Sequence, residues 1–270
     1  MPAEGVGETV VVATVSVTFD NLGEAAELER GTWPEGEPLG EHFSVRECLP
    51  ELLALLARED LRATFFVEGL NGGLYPDALA GLRAAGHEVA CHGWRHESWR
   101  EVGDRERELL ARARDALGGP AGFRPPGGRL NAATPELLRE LGFRYCSPAG
   151  SRAGRLDGVA TLPFRWTLID AYFYLPHFAP LRQRNGDPEA PMEPAVLRER
   201  VLAALDAHTE GHLALIFHPF LLTAAPEALS VVDDVLARAA EFRCLRMDEA
   251  AAALPADAGT PELDDTSWNA

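Results

Sequence analysis

Residues 10–19 (VVVATVSVTF) form an almost unbroken β-branched run, the pattern of a strand buried on both faces, and the run ends at Asp20-Asn21. Similar short apolar runs at 63–67, 87–91, 122–124, 143–146, 159–166, 212–217 and 243–246 predict further strands. Between them the period changes. Leu49, Leu52, Leu53 and Leu56 follow the spacing of one helical face, and Val232, Val235, Leu236 and Ala239 do the same later. Helices are also expected at 76–85, 104–117, 134–142 and 195–207. Gly86, Gly118 and Gly142 stand as stop signals for the first three. Two stretches, 22–43 and 172–193, are rich in Gly, Pro and charge, and are too long for ordinary connections.

Strands and helices alternate without a break in composition. This order predicts an α/β fold, and seven or eight βα units in about 250 residues suit a distorted (β/α) barrel better than an open sheet. Residues 1–254 are expected to form a single domain. Residues 255–270 carry little to bury and are expected to form a flexible tail.

Composition narrows the classes of function. The net charge of -17 disfavours nucleic acid and anionic membranes as partners. All 25 basic residues are Arg, which excludes a Lys Schiff base and a Lys-bearing phosphate loop. The four cysteines, Cys48, Cys91, Cys146 and Cys244, show no paired spacing, so neither a disulfide framework nor a thiolate metal site is expected. No apolar stretch has membrane-span length, and the acidic N-terminus lacks the features of a signal peptide; a cytoplasmic location is expected.

The strand ends carry the chemistry. Barrel enzymes place reactive groups at the C-terminal ends of their strands. Those ends here hold Asp20 and Asn21, His92 and His96, Arg124, Asp170 and His218. His92 and His96 stand four apart, so on one helical turn both imidazoles share a face and can converge on a divalent metal. A core histidine explains His218 alone and a salt bridge explains Arg124 alone, but neither explains the set.

The set resembles the polysaccharide deacetylase family, carbohydrate esterase family 4 with its NodB homology domain. The matching residues are Thr18-Phe19-Asp20-Asn21, His92-Gly93-Trp94-Arg95-His96, Arg124-Pro125-Pro126-Gly127-Gly128, Trp166 with Asp170, and Leu215-Ile216-Phe217-His218-Pro219. The resemblance is nearest to the intracellular deacetylase and allantoinase-like branch. It implies a NodB-type barrel and metal-dependent hydrolysis of an acetyl amide. It also implies Asp20 as general base, Arg124 orienting it, His218 as general acid and Asp170 holding that imidazole charged. The implied metal ligands are Asn21, His92 and His96, with zinc as the expected divalent ion and cobalt or nickel as alternatives. Asn21 stands where the family has an aspartate. Substrate contacts are expected from Trp94, Pro126, Gly127, Trp166, Tyr172 and Tyr174.

The expected substrate is a small acetylated amino sugar. The glutamates of 22–43, Glu24, Glu27, Glu29, Glu35, Glu37 and Glu41, suggest a mouth that attracts a cationic or amine-bearing one. Homo-oligomerisation is possible on this reading. The alternatives are a metal-free cyclic amide hydrolase of the allantoinase kind, or a non-catalytic sugar-binding relic. A relic would need neither Asp20 nor His218.

Overall fold

A computed structural model describes residues 13–264. Twelve strands are present among them: β1 (Thr14–Asp20), β2 (Thr64–Val67), β3 (Glu88–Cys91), β4 (Gly122–Phe123), β5 (Tyr145–Cys146), β6 (Gly150–Arg152), β7 (Gly154–Leu156), β8 (Val159–Thr161), β9 (Phe164–Ile169), β10 (His212–Phe217), β11 (Arg243–Cys244) and β12 (Glu262–Leu263). Residues 10–12 of the first predicted strand lie outside the described residues.

Eight strands form one parallel array in the order β8-β5-β4-β3-β2-β1-β10-β9, with β7 antiparallel on the β8 edge and β11 pairing β1 from off the path. The array curls so that the chain just past β5 reaches the β9 edge. Ala149, just past β5, bridges Phe164 at the start of β9 in parallel sense. This single bridge replaces a full closing ladder, which makes the barrel distorted, as expected. Phe19, Phe65, Phe66, Phe123 and Phe217 are all essentially buried in it. That burial explains why the strands read as continuous apolar runs rather than as alternating ones.

Helices cover the sheet: α1 (Ala25–Arg30), α2 (Leu49–Arg58), α3 (Gly69–Leu74), α4 (Pro76–Ala84), α5 (Glu106–Ala116), α6 (Thr134–Glu140), α7 (Asp170–Tyr174), α8 (Ala179–Arg184), α9 (Pro194–Asp206), α10 (Ala228–Ala239) and α11 (Met247–Ala253). On α2 the buried residues are Leu49, Leu52 and Leu56, one face of the helix, as the spacing predicts.

Three expectations change. The run 159–166 is two strands, not one. β8 pairs with β5 and β9 pairs with β10, and Pro163 separates them because it has no N–H to continue a ladder. The long stretches 22–43 and 172–193 are partly helical, holding α1, α7 and α8. Residues 255–264 do not leave the body: Glu262 and Leu263 pair antiparallel with Arg152 and Gly150 of β6. Glycine permits this approach, since a Cβ on Gly150 would stand 2.3 Å from the Glu262 carbonyl oxygen. Residues 265–270 lie outside the described residues.

Candidate active site

The C-terminal ends of β1, β3, β9 and β10 open into one cleft. Its lining includes Asp20, Asn21, His92, His96, Arg124, Gly127, Trp166, His177 and His218. Each polar side chain gets there by a local device. Asp20 is the last residue of β1, and Asn21 turns the chain with φ 60°. Non-glycine residues with positive φ are uncommon and cluster where geometry is imposed by function. Among the described residues four have it, and two of the four, Asn21 and His96, are in this cleft.

Arg124 follows β4 and is buried along its whole length. Its Nη1 donates to Asp20 Oδ1 at 2.6 Å and to Thr18 Oγ1 at 2.8 Å. Its Nη2 and Nε donate to Ser147 Oγ at 3.1 and 3.3 Å. The guanidinium lies 3.9 Å from the ring centre of Phe66 and 5.3 Å from that of Phe164. Burial raises the Asp20 carboxyl above its ordinary range even though the Arg124 charge and hydrogen bond oppose it. The carboxylate is therefore a stronger base than a free one. Among the described residues its second oxygen accepts no hydrogen bond.

His218 follows β10. Its backbone N–H donates to Asp170 Oδ2 at 2.7 Å, and its Nδ1 donates to Asp170 Oδ1 at 2.6 Å. Burial alone would push this imidazole down, but the Asp170 charge and hydrogen bond, with Asp20 adding to them, raise it above 6.5. The clamp leaves Nε2 as the nitrogen available to the cleft. Asp170 itself is buried behind the histidine, at the end of β9 and the start of α7.

His92 and His96 come together, with ring centres 5.0 Å apart, but not on a helical turn. Residues 92–97 are irregular. Gly93 at φ 80° and His96 at φ 67° fold the segment back on itself. His92 Nδ1 donates to the Arg124 carbonyl at 2.8 Å, which fixes its tautomer and leaves Nε2 with a free lone pair. Burial lowers His92 to about 3 and pushes His96 well below its usual value, so both rings are neutral.

Neutral imidazole is the ligating form. Among the described residues no three His, Cys, Asp or Glu side chains converge as a metal cluster, so a third donor must be of another kind. Asn21 Oδ1, in the same cleft lining as the two histidines, is a candidate of that kind: it is an acceptor buried without a hydrogen-bond partner. The three groups fit a divalent cation, with an amide oxygen in place of a charged carboxylate.

The expected substrate contacts divide. Gly127 and Trp166 line the cleft. A Cβ on Gly127 would meet nothing within 4 Å, and its φ of 74° suits glycine. Trp94 does not line the cleft: it packs between Gly69 and the Arg112 guanidinium, which stands 3.7 Å from its ring centre. Pro126 packs on Gly93. Tyr172 is fully buried, and its hydroxyl donates to Asp187 on the far side of α7. Tyr174 buries its hydroxyl without a partner, outside the lining. The wall is built instead by Phe164, Ile169, Leu175, Phe178 and Phe220. The sequence shows these apolar residues, but not which of them face inward.

The acidic mouth is not present either. Glu24 is buried and accepts from Gly40 N and the Tyr75 hydroxyl. Glu27 pairs with His42 at 3.3 Å, Glu29 with Arg95 at 3.5 Å, and Glu41 with Arg46. None of the residues lining the cleft is a glutamate, whereas Arg30, at the end of α1, is one of them. Glu68, just past β2, was not anticipated. Burial pushes its carboxyl up to about 8, so at neutral pH it is held as the acid beside Asn71.

Removing Arg124 should expose how much of the site hangs on it. Arg124→Met leaves Asp20 buried and unpaired, and breaking a buried pair in this way typically costs about 3–5 kcal/mol. Urea denaturation should show a loss in that range, and the double variant Arg124→Met with Asp20→Asn should recover much of it. Strict additivity of the two losses would mean that the pair is not coupled.

The family model for polysaccharide deacetylases matches residues 9–146. A peptidoglycan deacetylase of Helicobacter pylori is 31% identical over 109 residues, covering 38% of this chain and 37% of its own. Chitin deacetylase 1 of Saccharomyces cerevisiae is 32% identical over 102 residues, covering 35% of this chain and 33% of its own. The chain thus spans only about a third of the length of these curated relatives. A Mycobacterium smegmatis protein assigned to the polysaccharide deacetylases has a crystal structure with TM-score 0.76 and 27% identity, aligned over 98% of both chains. An allantoinase structure superposes at TM-score 0.70 over 90% of both chains, and at 19% identity it shares the fold alone. With the family model covering half of its length, and the same barrel found in solved relatives, the chain belongs to the polysaccharide deacetylase family.

Proposed function

We propose that the protein is a hydrolase that removes an acetyl group from the nitrogen of a small amino-sugar-like substrate, with a divalent metal held by Asn21, His92 and His96. The observation that carries this reading is the pairing of a buried carboxylate and a buried imidazole across one cleft, each with its own partner. Asp20 is held by Arg124 at 2.6 Å, and His218 is held by Asp170 at 2.6 Å. A site that only binds sugar has no use for a base and an acid whose protonation needs are opposed.

The chain's own residues divide the work. Asp20 takes the proton of the attacking water, and Arg124 fixes the direction in which it can do so. His218 gives its proton from Nε2 to the leaving nitrogen. Asp170 keeps that imidazole protonated at the start of the cycle and accepts the Nδ1–H throughout. Phe164, Trp166, Leu175 and Phe178 shield the reacting amide from bulk water, which strengthens each charge interaction in the cleft. The cation, when bound, would polarise the amide carbonyl and acidify its water. General acid and base steps are each worth about 10²–10⁴ in rate.

The discriminating experiment is a screen of acetylated amino sugars and cyclic imides, with and without added zinc, cobalt or nickel. Released acetate and ring opening are read in parallel. Metal-stimulated acetate release is the expected outcome. Ring opening that survives chelation, with no acetate from any sugar, would transfer the protein to the cyclic amide reading.

Asn21 sets the strength of the metal site. Asn21→Asp adds a charged ligand and is tolerated at φ 60°, because Asp, like Asn, visits left-handed backbone. Metal titration should show tighter binding by tenfold or more. Unchanged affinity would mean that the Asn21 side chain is not a ligand.

The pH profile has a fixed sign. His218 is raised above 6.5, so the acid stays protonated, and turnover persists, until the pH passes that raised value. Asp20, also raised, must be deprotonated, which places the rising limb above the ordinary carboxylate range. Asp170→Asn removes the charge that raises His218. The alkaline limb of turnover should then move to lower pH by about a unit or more, with the acid limb unmoved. An unmoved alkaline limb would assign the proton donor elsewhere.

A further inference from the structure

The charges around the cleft do not cancel. Asp20 is neutralised by Arg124 and Asp170 by His218, so both carboxylates at the reaction centre are already paired. Arg30 is the exception. It ends α1, lines the same cleft as His96 and His177, and is solvent-exposed. Among the described residues no carboxylate lies within 4 Å of its guanidinium. The two nearest glutamates in sequence turn elsewhere, Glu27 to His42 and Glu29 to Arg95. Its one polar contact is Nη2 to His96 Nδ1 at 3.4 Å, which is long for a hydrogen bond and joins a cation to a neutral ring. That contact is cheaply given up. A chain of net charge -17 thus presents an unpaired guanidinium to its cleft, while four of its six loop glutamates are paired with other groups and the remaining two, Glu35 and Glu37, are exposed outside the lining.

We propose that Arg30 recognises a carboxylate on the substrate, and that the substrate class is an N-acylated amine bearing a carboxylate close to the amide that is cleaved. The planar fork of donors on arginine suits a carboxylate bidentately, and Trp166 and Phe178 line the same cleft. This inference rests on the amide-hydrolase reading and reverses the sign of substrate charge suggested by the glutamates of 22–43.

The test uses matched pairs that differ in charge: N-acetylmuramate against N-acetylglucosamine, and an N-acetyl amino acid against its C-terminal amide. In Arg30→Gln, kcat/KM for the carboxylate-bearing member should fall tenfold or more, since a hydrogen-bonded charge contact is worth at least that. The neutral member should change less than threefold. Arg30→Lys should retain part of the preference, having the charge without the fork. Calorimetric titration of the same four compounds separates this inference from the catalytic reading. If none is hydrolysed, the deacetylase assignment fails while binding still decides for Arg30. Tenfold weaker carboxylate binding in Arg30→Gln, together with loss of wild-type affinity as salt is raised, supports the proposal. Equal fold-changes within each pair, an unchanged affinity in Arg30→Gln, or no binding of either carboxylate compound to the wild-type protein would overturn it.

Discussion

One side chain ties the reaction centre to the barrel. Arg124 spans the interior from β4, donating to Asp20 and Thr18 of β1 on one side and to Ser147 after β5 on the other. Its own carbonyl receives the Nδ1 hydrogen of His92. The same residue therefore sets the direction of the candidate base and the tautomer of a candidate ligand. A buried guanidinium is tolerated because all of its neighbours answer it: a carboxylate, two hydroxyls, and aromatic faces on Phe66 and Phe164. Any shift of β4 relative to β1 would disturb both halves of the site at once.

Asp170 does the equivalent work on the opposite wall with a different geometry. Its two oxygens take the backbone N–H and the ring N–H of one residue, His218. Grasping both groups fixes the ring plane as well as its charge. The parallel pairing of β9 with β10 brings the ends of the two strands together and makes that double contact possible. The barrel need not close with a full ladder for this. The strands that carry Asp20, His92, His218 and Asp170 lie in one unbroken run of the sheet, β3-β2-β1-β10-β9. The weak closure joins Ala149 to Phe164, at the start of β9 on the edge of that run, and Phe164 is itself part of the apolar wall.

What could be read from the sequence follows from how strongly each feature is written in apolar pattern. Strands buried on both faces leave β-branched and aromatic runs, so β1, β2, β3 and β10 could be located, and with them Asp20, Asn21, His92 and His218. Asp20, His92, Arg124 and His218 stand at the ends of such runs, whereas the pairing of Asp20 with Arg124 and of His218 with Asp170 was implied only by the family resemblance. α1 was not legible, since its buried face is only Ala25 and Ala26. The turn that joins His92 to His96 was misread as helical because a spacing of four does not distinguish a helix from a loop bent by Gly93 and by His96 itself. Tyr172 and Tyr174 carry the right chemistry for a sugar, but the face they take on α7 is set by packing against Asp187 and the core. No periodicity records that choice.

Charge shows the same limit more sharply. Six glutamates and one arginine in 22–43 describe an acidic segment if the residues are simply counted. Once folded, Glu24, Glu27, Glu29 and Glu41 are bonded to Gly40, His42, Arg95 and Arg46, none of which faces the reacting centre across the cleft. The minority charge alone is left pointing at the site. Opposite charges within a loop pair with what the fold brings near them, so a sum over the segment says little about the potential a substrate meets. That potential is set by the residue whose partner is missing, and here that residue is the cation Arg30. The same cation sits against His96, so the charge that would welcome an anionic substrate also bears on one of the rings fitted to hold a metal.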